Sequence, residues 1–196
     1  MSRIAPLPAG DLPDIEAFHR AGPLGFLPNS VRILARRPEI ALAFQGLLRA
    51  IFSAQSGFDP SLRSLISQVA SRASGCRYCM AHTAHSGLRA GLSAEKENAL
   101  WEYETSPLFS PAERAALRVA QGAAVVPNAV TDEDFAALRS HYSDEQCVEI
   151  VALISLFGFL NRFNDTMATE LEAPAIAVGQ EFLASHGWSV GKHGAG

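Results

Sequence analysis

Apolar residues recur at three- and four-residue spacing along almost the whole chain, and the alternating apolar and polar runs of half-buried strands, bounded by Asn-Gly or Asp-Gly turns, are absent. That periodicity predicts an all-α fold. Start and stop signals then divide it into helices. Asn29 and Ser30 are N-cap residue types ahead of Val31, Leu34 and Ala35, and Pro38 suits the first turn of a helix through Ala41, Leu42, Phe44, Leu47, Leu48 and Ile51. Gly57-Phe58-Asp59-Pro60 is a break. After it Leu62, Leu65, Ile66, Val69 and Ala70 share one helical face, and Gly75 ends that helix. A new helix opens at Cys76 and runs to about Ala90. Ser93, Ser110, Thr131 and Ser143 each precede acidic residues and a further apolar period, the pattern of capped helix starts. The helix after Ser143 carries its period past Phe157-Gly158-Phe159 toward Glu172, Pro174 closes it, and a last helix covers about Ala175 to Ala184.

With 196 residues, 48% of them hydrophobic and 18% charged, the chain buries a core easily and suits one domain. Residues 1–28, rich in Pro and Gly, read as an N-terminal arm, 29–190 as a single helical domain, and 191–196 as a tail that frays. A formal charge of −4 leaves no basic excess for a nucleic-acid backbone. The longest uncharged apolar run, Ile150 to Leu160, falls short of the roughly 20 residues that span a bilayer. Neither nucleic acid nor membrane is therefore an expected partner. The N-terminus lacks the apolar core of a signal peptide, and three cysteines are too few for a disulfide framework, so a cytoplasmic location is expected. A faint echo appears at a shift of 85 residues, which equates Ser64 with Glu149, Cys76 with Asn161 and Cys79 with Asn164, and suggests two related helix pairs.

The segment that carries chemistry is Gly75-Cys76-Arg77-Tyr78-Cys79-Met80-Ala81-His82-Thr83-Ala84-His85. Cys-x-x-Cys at a helix start puts both sulfurs on one turn, where exposed N–H groups and the positive helix end favour a thiolate. Arg77 and the following histidines would favour it further. A bridge closing so short a loop adds little stability, so the pair reads as a redox-active dithiol. At about 100° per residue, His82 lies one turn beyond Cys79 and can touch it. His85 follows on the same side, which would allow a short proton path, and Tyr78 is a further proton donor near the pair. Zinc bound by Cys76, Cys79, His82 and His85 has the right ligand types, although structural zinc sites usually separate their ligand pairs by a longer loop. Haem attachment needs a histidine where Met80 stands, and a thioredoxin fold needs flanking strands. No metal or cofactor is expected. Cys147, alone in an apolar helix, reads as an inert core thiol.

At these residues the chain resembles the alkyl hydroperoxidase D-like branch of the carboxymuconolactone decarboxylase superfamily. The resemblance is close from Ser61 to Leu92 and continues through Ala112–Leu117, Val130–Asp134 and Glu149–Asp165. It implies an all-helical homo-oligomer with peroxidase or disulfide-reductase activity. Cys79 would attack the O–O bond of a hydroperoxide to give a sulfenic acid, Cys76 would resolve it to a disulfide, and an external dithiol or reductant protein would reduce that. Phe44, Leu47, Leu48, Phe52 and Phe157-Gly158-Phe159 exceed the needs of one small core and suggest apolar surface for self-association. Two relay positions differ from the family. Its glutamate is here Ser64 and its histidine is here Thr83. The expectation is a relay rebuilt from His82 and His85, with Glu149 supplying the carboxylate. Asn161 to Asp165 would face the same cavity, with Arg162 or Asn164 touching substrate. The alternative is a non-catalytic, oligomeric redox sensor or binding protein.

Overall fold

The computed structural model describes residues 1–52 and 59–195, and all the regular structure among them is helical. Ten α-helices follow in order: α1 Pro13–Ala21, α2 Asn29–Leu34, α3 Pro38–Ile51, α4 Pro60–Ala73, α5 Arg77–Arg89, α6 Ala94–Asn98, α7 Pro111–Ala123, α8 Asp132–Arg139, α9 Asp144–Met167 and α10 Ala173–Val178. Their starts follow the capping chemistry of the sequence. Ser110, Thr131 and Ser143 each accept the N–H three residues on, while the side chain of that residue returns to the cap's own N–H. A reciprocal cap of this kind stabilises a helix end by about 1 kcal/mol. Of the predicted Gly57–Pro60 break, Gly57 and Phe58 lie outside the described residues, and Asp59 caps α4 by accepting from Ser61 N–H at 2.9 Å.

The centre of the molecule is the α4–α5 hairpin, with α7 and α9 packed on α4. Leu65, Ile66 and Ala70 of α4 are fully buried among Leu117 of α7 and Ile150 of α9. Close approach of α4 and α5 depends on Gly87, where a Cβ would stand 3.2 Å from that of Ser64. α9 has the length and apolar content of a bilayer-crossing helix, and here its inner stripe, Cys147 through Asn164, is buried in the fold.

Four features depart from the sequence reading. α9 stops at Met167 rather than near Glu172, because Ala168 turns left-handed (φ 48°) and Thr169 N–H bonds back to Asn164 O. Glu172 is thereby freed from α9 and becomes the residue that precedes α10. Leu160, 85 residues after the helix-ending Gly75, lies inside α9, so the α4–α5 hairpin is matched by one long helix rather than by a second hairpin. The arm carries α1, whose Ile15 and His19, four apart on one face, are buried. The tail is held rather than frayed as far as Gly194: His193 is buried with its Nδ1–H on Thr169 O at 2.7 Å, and its carbonyl accepts Leu171 N–H.

Candidate functional site

The dithiol sits where two helices meet end to end. Gly75, at φ 74°, reverses the chain; its N–H bonds to Arg72 O and that of Cys76 to Ser71 O, so Cys76 ends α4 and caps α5 at once. Cys79 N–H reaches Cys76 Sγ at 3.4 Å, which holds the two sulfurs on one turn. Both thiols are free and buried. They differ in what they face. Cys79 lies on the wall of a cavity of about 140 Å³, whereas Cys76 is behind it and touches no part of that space.

The cavity is mostly apolar. α1 and the loop after it contribute Phe18, His19, Pro23 and Leu24, α3 and Phe52 close one side, and Phe157, Leu160 and Asn164 of α9 close the other. Phe44, Leu48, Phe52 and Phe157, expected at a self-association surface, are thus cavity residues, while Leu47 and Phe159 are exposed. The polar groups on the α5 side are Tyr78, Cys79, His82, Thr83 and Ser86.

Burial pushes the Cys79 thiol well up, and the neighbouring Cys76 adds to that; Asn164, donating from Nδ2 to Sγ at 3.5 Å, opposes it. The expectation of a ready thiolate is therefore corrected. Desolvation of the anion outweighs the helix end. Arg77 does not help, because its guanidinium turns outward to Ser189 Oγ at 2.5 Å.

His82 finds a carboxylate that the sequence reading missed. Its Nε2 is 2.6 Å from Glu172 Oε2, and Glu172 Oε1 also accepts the Tyr78 hydroxyl at 3.2 Å and the backbone N–H of Asn29. Burial raises the Glu172 carboxyl, but the adjoining His82 imidazole and these hydrogen bonds outweigh it, so the group stays below the usual carboxylate range. Tyr78, fully buried beside that carboxylate, is held protonated, and its ring meets His82 edge-on at 4.2 Å. The only advance signal for Glu172 was its place two residues before Pro174, the spacing of an N-cap ahead of a helix-starting proline.

The remaining expected residues scatter. His85 turns away and caps Leu24 O at 3.1 Å, with Phe26 packed against both imidazoles at 5.6 Å, so the two histidines form no hydrogen-bonded path; burial lowers the His85 pKa. Glu149 pairs with Arg63 at 3.0 Å and serves the α4–α9 contact, not His82. Ser64 and Thr83, at the two relay positions, belong to a hydroxyl row. Ser64 Oγ meets Ser86 Oγ at 3.2 Å, Ser86 donates to Thr83 O, and Thr83 donates to Cys79 O at 2.8 Å. Of Asn161 to Asp165, Asn164 reaches the cavity, Arg162 bonds back to Gly158 O, and Asp165 pairs with Lys192 at 2.7 Å. Cys147 is buried against Tyr142 O, away from the site. Among the described residues no three His, Cys, Asp or Glu side chains are grouped as metal ligands.

A family model described as the carboxymuconolactone decarboxylase family matches residues 38–122. YnjA of Escherichia coli K12 is 34% identical over 113 residues, which are 58% of this chain and 62% of that protein, so the match spans less than two thirds of the relative. Among solved structures, the debrominase Bmp8 is 35% identical with a TM-score of 0.85, over 91% of this chain and 96% of that one; it was crystallised as a cysteine-to-alanine form in complex with 2,3,4-tribromopyrrole. A peroxidase-related protein with an AhpD core from Ralstonia eutropha JMP134 is 26% identical with a TM-score of 0.74, over 89% and 94%.

Proposed function

As a member of the AhpD-like carboxymuconolactone decarboxylase superfamily, to which the chain belongs, this protein holds a dithiol, and we propose that it is a cytoplasmic dithiol-dependent reductase of small apolar electrophiles. The observation that carries the reading is the inequality of the two thiols: Cys79 faces a mostly apolar cavity and Cys76 stands directly behind it. A cavity of about 140 Å³ is close to the roughly 150 Å³ that holds a benzene-sized ligand, so the substrate is of single-ring size or a comparable branched chain. With an organic hydroperoxide, the Cys79 sulfur attacks the terminal oxygen as the O–O bond breaks. The alcohol leaves after taking a proton, the thiol proton passes to His82, and Cys79 is left as the sulfenic acid. Cys76 then displaces that oxygen as water, and the disulfide is returned to the dithiol by an external dithiol, itself oxidised.

A second substrate class is favoured by the 35% identity to a debrominase. A halogenated ring plus the two thiols would give the hydrogen-substituted ring, the Cys76–Cys79 disulfide and hydrogen halide, with the same electron count. A Cys79 thiol pushed up by burial suits either class, with a base taking its proton as the substrate arrives. Cumene hydroperoxide and a brominated pyrrole, each offered with dithiothreitol, separate the two by peroxide loss and by bromide release. Cys79→Ser is expected to abolish whichever activity the parent shows. Unchanged turnover in that variant, or no turnover of either substrate by the parent, overturns the enzyme reading.

A further inference from the structure

The family carboxylate position is occupied by Ser64, yet a carboxylate stands at the site, and it comes from the other end of the chain. We propose that Glu172 is a positioning residue: it binds the Nε2–H of His82 and so fixes the imidazole in the tautomer whose Nδ1 lone pair serves Cys79 and its substrate. The inference rests on the dithiol-reductase reading above. Three observations support it. First, Glu172 is held from three sides, by Asn29 N–H and Tyr78 O–H on Oε1 and by His82 on Oε2. Second, a carboxylate with that many donors is an acceptor only, so the 2.6 Å contact requires Nε2 of His82 to carry the proton. Third, His82 lines the cavity and Glu172 does not, and among the described residues Nδ1 of His82 makes no hydrogen bond.

This is the arrangement in which an acid holds one ring nitrogen and leaves the other as the base. The proton that leaves Cys79 passes to Nδ1, and the same nitrogen returns a proton to the departing alkoxide, so the imidazole ends as it began. Glu172 remains ionised throughout. The other titratable groups about the pair are Tyr78, which is held protonated, Cys79 and His85 on the same helix, and His193, whose ring lies 5.8 Å from that of Tyr78, with Asp165 behind it.

The test is E172Q, read by two measurements. An amide keeps a carbonyl for Asn29 and Tyr78 but presents N–H to His82, so Nε2 must accept and the proton must move to Nδ1. Nitrogen-15 spectra of the imidazole at pH 8 are expected to show Nε2–H in the parent and Nδ1–H in E172Q. With whichever substrate the parent turns over, kcat is expected to fall about 100-fold, as loss of a general acid–base group does, and KM to stay within twofold. A residue that merely braced the fold would move neither the tautomer nor kcat alone. Nδ1–H in the parent overturns the proposal, and that spectrum decides it even where E172Q does not fold. The same tautomer in both proteins, or kcat within twofold in E172Q, also overturns it. Loss of activity in Cys79→Ser alongside an active E172Q leaves the reductase reading standing and removes only Glu172 from it.

Discussion

The segment matched by the family model, 38–122, and the two segments that flank it contribute different things to one site. The matched segment holds the sulfurs and His82. The flanks hold most of what surrounds them: Phe18 and His19 on one side of the cavity, Phe157 and Asn164 on the other, and Glu172 behind His82. The dithiol thus lies in the matched segment, while much of the cavity wall and the partner of the histidine lie outside it. With Ser64 and Thr83 at the two positions where the resemblance implies a carboxylate and a histidine, a histidine of the matched segment and a carboxylate from outside it still meet beside the dithiol.

The largest effect tests the shared segment itself. Cys76→Ser is expected to halt turnover after a single sulfenic equivalent per chain, trapped as a dimedone adduct on Cys79; multiple turnovers would show that Cys76 does not resolve. Asn164→Leu tests the flank's direct grip on the sulfur. Loss of a hydrogen bond worth about 1 kcal/mol should slow thiol consumption roughly fivefold, and alkylation of Cys79 by iodoacetamide should need a higher pH than in the parent.

His19 probes the flank without touching the sulfurs. Burial lowers its pKa from 6.5 to about 4, and Nε2 has no partner among the described residues. A histidine with a depressed folded-state pKa contributes its full stability above about pH 6.5, and that contribution falls as the pH drops toward 4. The loss is about 3 kcal/mol. Urea midpoints of the parent should therefore fall between pH 6.5 and 4 more steeply than those of His19→Leu, and equal slopes would remove His19 from the acid response. The smallest effect is expected at Cys147→Ala, a change of about 1 kcal/mol in stability with turnover unaltered, since the thiol lies outside the cavity.

Much of this was legible along the chain. The Ser110, Thr131 and Ser143 starts are local chemistry, because a side chain and an N–H three residues on need no tertiary partner. Gly75 and the dithiol turn are legible for the same reason. Helical spacing places His82 beside the dithiol, but the sequence offers Glu149 as its carboxylate. That choice failed because a carboxylate 90 residues from its histidine leaves no periodic trace, and because the left-handed turn at Ala168 falls on an alanine, a residue that rarely adopts it. The thiol's environment is hidden from the sequence in a related way. A helix N-terminus is visible in sequence, whereas the desolvation that overrides it is a property of what packs on Cys79 from α9 and the N-terminal segment.

What the sequence by itself determined was therefore helical class, most helix starts, and two sulfurs on one turn, all consequences of contacts within a few residues. Only the tertiary structure decided which sulfur meets the cavity, that Arg77 and His85 turn away, and that Glu172 meets His82. Those outcomes depend on burial and on ion pairing between distant segments, and both arise only when the helices have been brought together.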